Sequence, residues 1–195
     1  MPPMNAAPMN NPLMPDTRQM GRSLRLWRSL RRLKQAAVAE MMGVSQTTVS
    51  RWESGLAEPT LQEQQGLRSL MAARLDSAAD FALGRMVRSA GTPMHLVCDV
   101  SHRLLALSRP RELVCRVPGT QLLGSALWRY ATPQIVAQEA RLDGLGWYEP
   151  GPDAIEFDTE ARDDPEMPIE SCRMSWVRMQ LSDGSFVRLT ETVLS

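Results

Sequence analysis

The sequence predicts two domains, an all-α N-terminal one followed by an α+β one, in a chain of 195 residues. Three observations carry this. Apolar residues recur at helical spacing as far as Ser89, then the period changes to strand-like alternation beyond the small, proline-containing boundary Ala90-Gly91-Thr92-Pro93. Charge divides at the same place: twelve Arg or Lys face seven Asp or Glu up to Ser89, and ten face fifteen after it, although the formal net charge is zero. With 43% hydrophobic and 23% charged residues, the chain has apolar material for packed cores. The basic half is the candidate polyanion binder, and the acidic half would repel DNA.

Residues 1–16 are rich in Pro, Asn and Met without periodicity, which predicts a disordered leader. Arg18 to Arg32 then places Leu24, Trp27 and Leu30 on one side of a helix, with Arg22, Arg25, Arg28, Arg31 and Arg32 forming a basic rim able to approach phosphates. Lys34 to Gly55 reads as two short helices joined by a tight turn. Gly43 can take the positive φ that stops the first, and Ser45 can cap the second, which runs to about Ser54. In that second helix Val49, Trp52 and Leu56 form an inward stripe, leaving Gln46, Thr47, Ser50 and Arg51 outward. Such a polar face suits a DNA major groove: Gln can pair bidentately with adenine, Arg with guanine, and Thr can touch a thymine methyl.

Gln35, Val38-Ala39, Gly43-Val44-Ser45, Val49, Trp52-Glu53, Gly55 and Pro59 together resemble the lambda-repressor-like helix-turn-helix domain of the XRE family. Lys34 departs from it, standing where a capping Ser or Thr is usual. The resemblance implies a domain of about five helices over 17–75. It also implies DNA contacts from Gln35 to a phosphate and from Gln46, Thr47 and Arg51 to base edges, with Ser45, Ser50 and Arg28 in the same surface. Glu53 is expected to be structural, paired with Arg28. After Pro59, helix continues to about Arg88 with Gly66 as the expected interruption, and residues 76–92 form a connecting helix and linker.

Beyond Pro93, Met94–Val100 and Arg103–Ser108 read as two strands, with Met94, Leu96, Cys98 and Val100 on one face. A helix from Pro133 to Leu142 is started by Thr132 as cap and Pro133 at its first position. Ala154–Glu160 is a third strand, Arg162–Ile169 an acidic solvated loop. Ser171–Leu181 and Phe186–Leu194 make a hairpin across Ser182-Asp183-Gly184-Ser185. Val97 to Pro110, Leu123 to Trp128 and Trp176 to Glu191 resemble a PAS domain. That resemblance implies a five-stranded antiparallel sheet with helices over one face, across 93–195, that dimerises or senses a small ligand or protein partner.

Three cysteines at wide spacing form no disulfide framework, and no stretch approaches a membrane span, so a cytoplasmic protein is expected. His95 and Cys98 alternate to opposite faces, which argues against a shared metal. No flavin-reactive Asn-Cys-Arg motif is present, and neither haem nor flavin is expected. Trp128, Tyr130, Trp147, Tyr148 and Trp176 are expected in the core or in dimer contacts. Asp99, Ser101 and His102 are adjacent in sequence, which is not how a triad is built. The expected function is a sequence-specific, homodimeric DNA-binding regulator with no enzymatic activity. The alternative is an adaptor whose two domains both bind proteins.

Overall fold

In the computed structural model, residues 17–193 are described; the leader expected over 1–16 lies outside them. Five helices come first: α1 (Thr17–Leu30), α2 (Gln35–Met42), α3 (Gln46–Glu53), α4 (Leu61–Met71) and α5 (Ala78–Ser89). Their ends have local causes. Gly43 ends α2 with φ 65°, and Ser45 caps α3 by accepting from the Thr48 amide at 3.1 Å. Lys34 stands at the N-cap of α2 and gives it no side-chain bond, as its chemistry requires. Thr60 with Glu63 and Ser77 with Asp80 form reciprocal capping boxes at α4 and α5.

Two expectations for the helical region are corrected. Leu56 is 74% exposed rather than in the inward stripe, because α3 ends at Glu53 and Gly55, with φ 71°, turns the chain away. The helical region breaks over 72–77, where the second capping box starts a new helix, and not at Gly66. Gly66 lies inside α4, and its missing side chain makes room for Met42 of α2, whose Cε lies 2.9 Å from where a Cβ would stand.

The sheet has the order β2-β1-β5-β4-β3, with every pairing antiparallel. Its strands are β1 (Met94–Cys98), β2 (Leu104–Leu107), β3 (Ile155–Thr159), β4 (Cys172–Gln180) and β5 (Phe186–Val193). This is the five-stranded sheet implied by the PAS resemblance, but it carries helices on both faces. Leu96, Cys98, Ala106 and Val187 share one continuous core with Leu24, Trp27, Val49 and Met71 of the N-terminal helices. α5 lies directly on β1 and β2. The opposite face is covered by α6 (Arg109–Leu113), α7 (Gly119–Leu122), α8 (Pro133–Glu139) and the 3₁₀ turn Leu127–Tyr130. β1 is therefore buried on both sides from His95 to Cys98.

The segment Arg162–Ile169 is not a solvated excursion. Met167 and Ile169 are buried, Glu166 contacts Arg129 and Tyr130, and Arg162 bridges to Ile169 and donates to the Ala131 carbonyl at 2.6 Å. Its acids are neutralised by arginines from neighbouring elements, so its apolar residues can close over the sheet. Thr132 caps α8 by accepting from the Ile135 amide at 3.2 Å, with Pro133 at the first position as expected.

Candidate nucleic-acid interface

The outward face of α3 is held by what lies beneath it. Val49 and Trp52 are 0% and 2% exposed, and Gln46, Thr47, Ser50 and Arg51 stand on the exposed side. Ser45 and Thr48 are turned to one another, their hydroxyl oxygens 2.8 Å apart, so both fix the start of the helix. At its other end Glu53 is 4% exposed at the side chain and is gripped from two helices. Arg28 of α1 donates to both carboxylate oxygens at 2.7 and 2.9 Å and to the Leu33 carbonyl at 2.8 Å. Gln35, at the start of α2, donates to Glu53 at 2.9 Å. Burial pushes the Glu53 carboxyl up, but the bonds from Arg28 and Gln35 and the Arg28 and Arg25 charges outweigh it and hold it below its ordinary value.

The structure thus brings Arg28, Gln35 and Glu53 together as a clamp tying α1, α2 and the end of α3. Arg28 spends its guanidinium on that clamp. Gln35 keeps one N–H of its amide for another partner. Within the basic rim, Arg22, Arg25 and Arg32 are exposed. Arg31 is turned the other way: it lies 5.3 Å over the Trp27 ring and pairs with Asp183 of the β4–β5 turn at 3.2 Å. Gly21 has a role that the sequence pattern did not reveal. A Cβ there would stand 2.1 Å from the Trp52 carbonyl oxygen, so the glycine lets α1 meet the backbone of α3 directly. A glycine within an amphipathic helix was the available signal.

The β4–β5 turn joins the sheet to this unit. Besides Asp183 on Arg31, Ser182 donates through its amide and hydroxyl to Asp80 at 3.2 and 3.1 Å, and its hydroxyl lies 2.5 Å from that of Ser77. Asp80 thereby caps α5 and holds the hairpin with one carboxylate.

On the other face of the sheet lies a buried charge cluster. Asp99 accepts from Arg178 at 3.0 Å, from Arg188 at 3.0 and 2.7 Å, and from the Trp147 indole at 3.2 Å. Arg178 and Arg188 are direct cross-strand partners, an arrangement of like charges that the carboxylate between them relieves. Arg188 also donates to Glu139 at 2.5 Å. Burial raises the Glu139 carboxyl, but Arg188 and His102 outweigh it and bring it down to about 2. His95 and Cys98 do lie on opposite faces of β1, and no group of three metal-binding side chains occurs among the described residues. Trp147, Trp176 and Tyr130 are buried. Beside the charge cluster is a cavity of about 60 Å³ lined by His95, Arg111, Trp128, Tyr130, Trp176 and Thr190 among others. Pockets for drug-sized ligands are clefts of about 300 to 1,000 Å³. No helix of the described residues is long and apolar enough to cross a membrane.

No curated protein matches the chain. Similar solved structures include the PAS domain of an HTR-like protein from Haloarcula marismortui, at 11% identity over 59% of this chain and 90% of that one, with a TM-score of 0.40. A sensory box sensor histidine kinase from Vibrio cholerae is similar at 11% identity over 60% of this chain and 93% of that one, TM-score 0.40. An RNA-binding Light-Oxygen-Voltage receptor is similar at 9% identity over 91% of this chain and 59% of that one, TM-score 0.42. The family model described as Helix-turn-helix matches residues 24–63, the span from the core of α1 into the first turn of α4, so the N-terminal part of this chain carries a helix-turn-helix.

Proposed function

We propose that the protein is a sequence-specific DNA-binding transcription regulator that acts as a homodimer, with the sheet-bearing half serving to dimerise it, to sense a ligand or partner, or both. The observation that carries this reading is α3: Gln46, Thr47, Ser50 and Arg51 are exposed together on a helix whose inner side and both ends are fixed. Preorganised side chains with bidentate hydrogen-bonding groups are what readout of base edges needs. In this reading Gln46, Thr47 and Arg51 meet bases, Ser50 and Gln35 lie at the border with the backbone, and Ser45 and Arg28 position the helix. Exposed Arg22, Arg25 and Arg32 supply phosphate contacts.

Dimerisation follows from reach, since one short helix contacts few bases. Two copies about a twofold axis would read half-sites about 34 Å apart. The test is fluorescence anisotropy with a labelled duplex selected from a random pool, repeated at stepped salt, alongside light scattering of the complex. The expected result is a selected duplex bound by two copies, with affinity falling linearly in log salt. Absence of duplex binding even at low salt would favour the adaptor reading.

A further inference from the structure

The cavity on the face of the sheet covered by α6, α7 and α8 has a lining that is mostly apolar, with polar groups among it. Arg111 of α6 is 6% exposed and lines it, with a buried Nε that has no hydrogen-bond partner among the described residues. Glu170 acts on it by charge but forms no ion pair with it among the described residues, and burial pushes the nearby Cys115 and Cys172 thiols up, so they add no counter-charge. A guanidinium taken out of water without a counter-charge is costly, and this side chain cannot escape by losing its proton. Beside it on β1 stands His95, 8% exposed, with Thr190 of β5 as its direct cross-strand partner. Burial first, and then the charges of Arg111 and Arg188, hold the His95 imidazole neutral, so it keeps one N–H to donate without adding a third cation. His102, Arg188 and the Tyr130 ring also reach the wall, and Ile135, Met174 and Trp176 are among the apolar side chains that make up the remainder. The volume of about 60 Å³ is room for about four waters, or an organic molecule of similar heavy-atom count.

We propose that this cavity binds a short-chain monocarboxylate, its carboxylate on Arg111 with His95 and Thr190 beside it and its alkyl end against Ile135, Met174 and Trp176. A carboxylate matches the planar fork of a guanidinium and supplies the counter-charge that the described residues do not. The alkyl end distinguishes it from an inorganic anion, which would leave the apolar wall unused. The proposal deepens the sensing role given above to the sheet-bearing half, and Arg188, already neutralised by Asp99 and Glu139, is not its anchor.

The test uses the full chain and the sodium salts of formate, acetate, propionate, butyrate and hexanoate, with sodium chloride holding ionic strength constant. Binding is read by calorimetry and by tryptophan fluorescence, since Trp128 and Trp176 line the cavity. Saturable binding that strengthens from formate to propionate or butyrate and fails for hexanoate is expected. Arg111→Gln should weaken it by about tenfold or more, the worth of a charge-assisted hydrogen bond. Should Arg111→Gln fold poorly, Ala131→Leu, which adds bulk at a residue lining the cavity, tests it with the anchor intact, and it should shift the preference toward formate and acetate. A response to chloride equal to that of the acids, no saturable response, or unchanged preference in Ala131→Leu would overturn the proposal. Because the acids are titrated without DNA, failure here leaves the DNA-reading role standing, and failure to bind duplex leaves this one standing.

Discussion

Glu53 and Gly21 both fix the C-terminal end of α3 against α1. The Glu53 carboxylate is nearly buried and satisfied by Arg28 and Gln35, so its ionised form belongs to the folded state. Its lowered pKa means that the clamp contributes stability at pH above the ordinary carboxylate range, and that this contribution is lost as pH falls through the depressed value. Arg28→Met should lower stability at neutral pH by about 2 kcal/mol and flatten the acid side of a stability–pH profile measured by urea denaturation. It should weaken binding to all duplexes alike, since it acts through the position of α3. Gly21→Ala is expected to lower the melting temperature even though alanine is the better helix former by about 1 kcal/mol. The added methyl would meet backbone of Trp52, which cannot rotate away, and overpacking of this kind costs about 1 to 3 kcal/mol.

Among the elements, those with a strong local signal were legible in the sequence. The α3 helix was readable from Ser45 and the Val49–Trp52 spacing, and all five strands from alternation and turn residues. The Arg28–Glu53 pair was legible only through family resemblance, because nothing local joins residues so far apart in sequence. What could not be read was how elements share side chains across the domain boundary. Arg31 looks like one more member of a basic rim until Asp183 arrives from the far end of the chain. Arg162–Ile169 looks solvated because its acids are counted without Arg129 and Arg116, which come from elsewhere. The β4–β5 turn is a hairpin signal that also serves as a docking element. Asp80→Ala should therefore do more than remove a helix cap: hydrogen exchange should speed at Ser182 to Ser185 as well as in the first turn of α5. Faster exchange confined to α5 would show that the turn does not depend on this carboxylate.

At the scale of the whole molecule, the sheet lies between two layers, with the N-terminal helices on one side and the charge cluster and cavity on the other. β1 and β5 contribute to both sides: Cys98 and Val187 to the core shared with Trp27 and Met71, His95 and Arg188 to the opposite face. A change around Arg188 therefore has a short packed route to α1. Asp99→Asn, which leaves Arg178 and Arg188 facing one another, should cost about 3 to 5 kcal/mol of stability, read as a lower urea midpoint at pH 7. The proposed function rests on α3 reading DNA sequence. The most direct test compares the wild-type protein with Arg51→Ala on a randomised duplex library, by sequencing the bound fraction. The expected result is a two-half-site preference in the wild type and, in the variant, loss of discrimination at one base position per half-site, with a cost of about 1 to 3 kcal/mol on the best duplex. An identical preference in the two proteins would contradict it.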